Sequence, residues 1–161
     1  MITTQNPLAG ALDHVGIVVP SLGQAVGFFT DVFGARVVFR MDRFLDETGE
    51  SVARMGASRG ASFALAMLEI DGKRLELLQW WPCVDVDDGS QKPVPNRGGA
   101  VHLAIEVPDV QAAIDRLREL PDVTVLSNAL TFTDGPTPGL TNAFFLTPWG
   151  LMIELVSWPH R

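Results

Sequence analysis

The sequence predicts an α+β protein made of two tandem βαβββ modules. Three observations carry that expectation: an internal repeat, helix caps at matching places in both halves, and a second repeated segment flanked by turn signals. Residues 12–20 (LDHVGIVVP) lie over residues 100–108 (AVHLAIEVP), so that His14 meets His102, Ile17 meets Ile105 and Pro20 meets Pro108, each 88 residues on (14 to 102). Self-similarity at this scale is the signature of a duplicated supersecondary unit and outranks local propensity.

Each element has its own local cause. The β-branched run up to Val19, and its copy up to Val107, reads as a short strand. After the proline, Ser21 and Asp109 are strong N-caps, because their side-chain oxygens accept from unpaired N–H groups of a first helical turn. Leu22, Ala25, Val26, Phe29, Val32 and Phe33 then recur at helical spacing, as do Val110, Ala113, Ile114, Leu117 and Leu120. Gly34 is placed to close the first helix and Pro121 to stop the second. Later, residues 72–80 (GKRLELLQW) lie over 150–158 (GLMIELVSW), bringing Glu76 onto Glu154 at an offset of 78 (76 to 154). Apolar runs precede both segments, and Asp71-Gly72 and Trp149-Gly150 read as turns between paired strands. The shorter offset places about ten extra residues in the first half, within the connector 40–62. We read residues 10–81 as the first module, 82–99 as a Pro- and Gly-containing linker and 100–159 as the second. Together they form one domain, since neither half is large enough to bury its own sheet face comfortably.

Composition narrows the function. The chain has 161 residues, 47% of them hydrophobic, and a formal net charge of -7, which fits a packed core and opposes disorder. Its acidity argues against nucleic acid, whose phosphates favour a basic footprint. No apolar run approaches the roughly 20 residues of a membrane-spanning helix, and residues 1–7 lack the basic and apolar segments of a secretory signal. A cytoplasmic location and no membrane partner are therefore expected. One cysteine, Cys83, excludes an intrachain disulfide framework and a four-cysteine zinc site, and the lack of tyrosine removes Tyr-based acid–base chemistry.

Strand parity supplies the candidate site. Side chains alternate between sheet faces, so Val15, Ile17 and Val19 turn toward the helix while His14 turns away. His102, Glu76 and Glu154 leave the helix-packed side in the same way. Pseudo-twofold packing of the halves would bring all four together. Two neutral imidazoles and two carboxylates suit a divalent ion such as Zn, Ni, Co, Mn or Fe, the carboxylates balancing its charge. The bland alternative is a solvated or core histidine and a solvated glutamate, four times over. Recurrence of all four at repeat-equivalent positions favours the metal.

His14 in LDHVGIVVPSL, Glu76 in KRLELLQ, His102 in GAVHLAIEVPDV and Glu154 in PWGLMIELV resemble the vicinal oxygen chelate superfamily. That group includes glyoxalase I, methylmalonyl-CoA epimerase, extradiol dioxygenases and bleomycin-resistance proteins. The resemblance covers nearly the whole chain and implies mixed sheets curled around a metal-binding cleft, commonly in a homodimer. It implies a metal-dependent isomerase or lyase that transfers a proton next to a carbonyl through an enediolate. By this analogy Glu154 is the mobile base and Glu76 the second carboxylate ligand and opposite-face partner. Asp42, Glu47 and Glu50 in the long connector are alternative bases or solvated loop residues.

Two other functions remain open on sequence. A non-haem Fe(II) ring-cleaving dioxygenase would use His14, His102 and Glu154 but leave the position of Glu76 free. A non-catalytic small-molecule binding or resistance protein would not need the complete ligand set. Arg36, Arg40, Arg43, Arg54 and Arg59 concentrate positive charge in one stretch. They read as a solvated face or as a seat for the anionic end of a small-molecule substrate. Trp80, Trp149 and Trp158 fit an apolar pocket or simple packing, and residues 131–142 read as a loop, either lid or connector.

Overall fold

The computed structural model describes residues 11–44, 48–57, 60–82 and 100–159. Residues 83–99 of the linker, Cys83 among them, together with Glu47, Arg59 and His160, lie outside the described residues. The chain divides into two compact units, residues 1–84 and 85–161. Each contains one of the repeated modules.

The first unit runs β1 (His14–Val18), α1 (Leu22–Phe33), β2 (Arg36–Phe44), α2 (Glu50–Arg54), β3 (Ser62–Ile70) and β4 (Lys73–Trp81). Its sheet has the order β1-β4-β3-β2, with β1 parallel to β4 and the other pairs antiparallel. The caps form as the sequence predicts: Ser21 accepts from the Gln24 N–H, and Gly34 closes α1 in the left-handed region at φ 64°. The start of α1 is also tied to the sheet, because the Leu22 N–H donates to Gln79 Oε1 at 2.8 Å. Asp71 and Gly72 both adopt positive φ between Ile70 and Lys73, the geometry of a two-residue hairpin turn. On the helix side, Leu22, Ala25 and Phe29 are buried, as are Ala66, Leu68, Leu75 and Leu77.

The extra residues of the first half are not a plain connector. β2 continues through Phe44, and residues 50–54 form the short helix α2, whose Val52 is fully buried. Glu50 in its first turn and Arg54 in its last oppose the helix dipole with the right signs. One inward apolar side chain explains why such a short helix is retained. It also leaves β3 covered on both faces, which accounts for the unbroken burial from Ser62 to Leu68.

The second unit runs β5 (His102–Glu106), α3 (Val110–Arg118), β6 (Thr124–Val125), β7 (Leu130–Thr131), β8 (Thr141–Leu146) and β9 (Met152–Ser157). Its sheet order is β5-β9-β8-β6, with β7 also paired to β8 and β5 parallel to β9. Asp109 caps α3 by accepting from the Ala112 N–H at 2.9 Å. Val110, Ile114 and Leu117 are buried on one side of the interface and Ala143, Phe145, Ile153 and Leu155 on the other.

Here the second strand of the module is split into β6 and β7, where the repeat predicts one strand. The Leu126 and Ser127 N–H groups both donate to the Phe144 carbonyl, and Ser127 Oγ accepts from the Phe144 N–H at 3.0 Å. A side-chain oxygen thus replaces a strand carbonyl, and the ladder bulges. Gln111 and Arg118 of α3 hold the bulge, by accepting from the Ala129 N–H and donating to Asn128. The Trp149-Gly150 turn is also longer than a two-residue hairpin: β8 ends at Leu146 and β9 starts at Met152. Residues 131–142 are the β7–β8 connection, with Thr131 and Thr141 already paired. Among the described residues, no helix is long and apolar enough to cross a membrane.

Candidate metal centre

Within each unit the fold places one histidine beside one glutamate. In the first, β1 runs parallel to β4 with Gly16 opposite Glu76, so His14 and Glu76 rise from the same face. His14 Nε2 lies 3.6 Å from Glu76 Oε2. In the second, Ala104 is opposite Glu154, and His102 Nε2 lies 3.4 Å from Glu154 Oε2. The small residues matter: a Cβ at Gly16 would already stand 3.4 Å from Glu76 Oε2. Bulk there would push the carboxylate aside.

The spacing suits a shared ion better than a direct bond. Both separations exceed the usual ~2.7–3.2 Å of an N–H···O hydrogen bond. Two donors each about 2.1 Å from a metal, at a tetrahedral angle, are about 3.4 Å apart. Asp13 strengthens this fit. His14 Nδ1 lies 2.8 Å from Asp13 Oδ1, and an ionised carboxylate can only accept, so the proton sits on Nδ1 and the Nε2 lone pair is left toward Glu76. That hydrogen bond holds the Asp13 carboxyl below its ordinary pKa; desolvation opposes it, and the Arg74 guanidinium and the imidazole lower it by smaller amounts. In the second unit, Asn142 Nδ2 donates to Glu154 Oε1 at 2.8 Å, and His102 packs edge-on against Phe144. Among the described residues, no group of three or more His, Cys, Asp or Glu side chains is gathered for a metal. The four expected ligands are therefore present as two His–Glu pairs, one in each unit.

The remaining candidates separate clearly. Asp42 is exposed and takes Arg40 at 2.7 Å, while Glu50 sits exposed at the start of α2. Arg36 pairs with Glu69 at 3.0 Å, and Arg43 stacks over Trp81 at 5.5 Å. These contacts fit the solvated-face reading of the arginine stretch better than a seat for an anion.

Sequence reading missed the apolar wall beside Glu76. Glu76, Leu78 and Trp80 alternate onto one face of β4, opposite Met67, Leu65 and Phe63 of β3. Val52 of α2 packs into a cluster with Phe63, Leu65 and Leu78, and Met41, Phe44 and Trp80 border it. The rings of Phe44 and Trp80 flank Phe63 at 5.1 and 4.8 Å. The insertion thus folds onto the face that carries His14 and Glu76. A Val52→Ala variant is expected to lose about 2 kcal/mol of stability from the methyl groups and the cavity they leave, read as a lower urea midpoint with an unchanged slope.

These two βαβββ modules, each with a His–Glu pair on its open face, define a glyoxalase-type protein. A family profile described as Glyoxalase/Bleomycin resistance protein/Dioxygenase superfamily matches residues 11–155, and the chain belongs to that family. It is 39% identical over 155 residues to a 2-epi-5-epi-valiolone epimerase of Actinomyces sp., covering 95% of this chain and 82% of the relative. Among solved structures it is similar to a glyoxalase family protein from Bacillus cereus, with TM-score 0.75, 19% identity and 98% of each chain covered. It is also similar to the fosfomycin resistance protein of Listeria monocytogenes solved with Mn(II) and sulfate, with TM-score 0.55, 13% identity, and 94% of this chain and 95% of the other covered. At these identities the solved structures speak to fold alone.

Proposed function

We propose that this protein is a metal-dependent epimerase that moves a proton at a carbon next to a ketone, on a substrate related to 2-epi-5-epi-valiolone. The observation that carries the reading is the His–Glu pair built twice, with donor atoms 3.6 and 3.4 Å apart. The similarity to an epimerase over 95% of the chain supports this reaction and substrate class.

His14, Glu76, His102 and Glu154 would hold the divalent ion, which when bound supplies Lewis-acid stabilisation of the charge that develops on the carbonyl oxygen. The chain's own groups do the rest. Asp13 fixes the tautomer and direction of His14. One of the two carboxylates takes the proton from carbon, and return of a proton to the other face gives the epimer. The apolar wall around Val52, Phe63 and Leu78 limits water on the Glu76 side. This reading includes a homodimer in the cytoplasm, whose mass light scattering would give as twice 17.5 kDa.

The test is incubation of 2-epi-5-epi-valiolone in deuterated water with protein stripped of metal and then given Mn(II), Zn(II), Ni(II), Co(II) or Fe(II) in turn. Deuterium entering a carbon beside the ketone only when metal is present is the expected result. No exchange under any metal would overturn the proposal.

A further inference from the structure

The two modules repeat in backbone but differ in what holds their carboxylates. In the second, β8 sets Phe144 opposite Glu154 and Asn142 opposite Val156. In the first, β3 sets Met67 opposite Glu76 and Leu65 opposite Leu78. Asn142 therefore occupies the place that Leu65 takes in the first module. Its amide donates to Glu154 Oε1 at 2.8 Å in a part-buried setting, while the other oxygen stays near His102. Glu76 has His14 near one oxygen, and among the described residues no amide or hydroxyl donates to the other. Leu65 and Leu78 belong to the apolar cluster there. Solvent does not explain the difference, because the two carboxylate side chains are similarly exposed, 19% for Glu76 and 16% for Glu154.

We infer that Asn142 is a positioning residue that pins Glu154 as the fixed carboxylate and leaves Glu76 as the one that moves and takes the proton. This rests on the epimerase reading above, and it reverses the division of labour that the family resemblance implies. A base must approach the carbon, accept its proton and release it again. A carboxylate held by a part-buried, charge-assisted hydrogen bond resists that excursion, because the amide would be left unpaired. Glu76 breaks no such bond when it swings. In the step, the C–H bond breaks, an O–H bond forms on Glu76, and the electron pair passes to the carbonyl oxygen as an enolate. Water on the other face gives a proton to the same carbon, which restores the ketone with inverted configuration, and Glu76 returns its proton to solvent, neutralising the hydroxide left behind.

Two measurements test this, one of which needs neither metal nor substrate. In metal-free protein labelled at glutamate carbons, NMR relaxation should show the Glu154 side chain ordered and that of Glu76 averaging between rotamers. Asn142→Leu, which copies the first module, should release Glu154 to the same averaging, and Asn142→Gln, which keeps an amide, should restore part of its order. With metal, Asn142→Leu should weaken Mn(II) binding about tenfold, the usual scale for a partner of a ligand. Glu76→Gln should lower deuterium exchange into 2-epi-5-epi-valiolone about a hundredfold or more while Mn(II) is still bound. Equal mobility of the two glutamates in the unsubstituted protein would overturn the inference. So would exchange that survives Glu76→Gln but is lost in a Mn(II)-loaded Glu154→Gln variant. If the unsubstituted protein exchanges no deuterium at all, the epimerase reading fails, while the NMR comparison still decides the role of Asn142.

Discussion

A His14→Ala/His102→Ala variant is expected to purify without divalent metal and to lose about a thousandfold or more in turnover. Each imidazole is one of the two donors in its pair, so the double change leaves only carboxylates, a set that favours harder, weakly held ions. Loss of Lewis-acid stabilisation removes several kcal/mol from the transition state, and each 1.36 kcal/mol is a factor of ten. The fold should survive, since both histidines are exposed and neither belongs to a buried cluster. Elemental mass spectrometry and circular dichroism on the same sample check both halves of the expectation. A variant that keeps one equivalent of metal, or that turns over normally without it, would move the centre elsewhere.

Much of this arrangement was legible because the sequence states it twice. The match of His14 with His102 and of Glu76 with Glu154 follows from strand parity, and parity survives folding wherever one face is packed by a helix. The caps were equally readable, since Ser21 and Asp109 act within three residues of themselves. What escaped depends on single contacts rather than periods. Helix α2 is five residues long with one buried side chain, too short for a helical period to register. The break between β6 and β7 turns on the Ser127 hydroxyl and on side chains of α3 reaching residues 128 and 129. The partners of the site escaped for the same reason. Yet a signal existed where the repeat fails to match, since Asp13 lies over Val101; the counterpart of Asn142 is set by strand register, which puts it on Leu65, one residue away from what the offset of 78 gives. Mismatches flanking matched ligands mark where two copies have divided their work.

The Asp13 mismatch leads to a further expected result. Asp13→Asn should weaken Mn(II) binding about tenfold, because the carboxylate that fixes the His14 tautomer is gone and an amide can present either a donor or an acceptor to Nδ1. Val101, the matching residue before His102, is 57% exposed and can be changed at little cost to packing. Val101→Asp should therefore place beside His102 the carboxylate that Asp13 places beside His14 and tighten binding, offsetting part of the loss when the two changes are combined. The pH dependence has a definite sign. Asp13 is held below its ordinary pKa, first by the hydrogen bond from His14 and then by the charges of Arg74 and His14. A depressed carboxyl contributes stability that is full above its unfolded pKa and is lost as pH falls through the folded one. The Asp13→Asn effect on stability should accordingly be constant from neutrality down to about pH 5 and vanish only in stronger acid, below the ordinary carboxyl range. Metal affinity behaves differently. It should fall in both proteins with acidification, since protons compete with the metal for its ligands. Parallel Mn(II) titrations of both proteins across pH 5–8 separate the two effects. If the ratio of affinities varies across that range, Asp13 acts through charge; if it stays constant, Asp13 acts by orienting the ring, as its hydrogen-bond geometry requires.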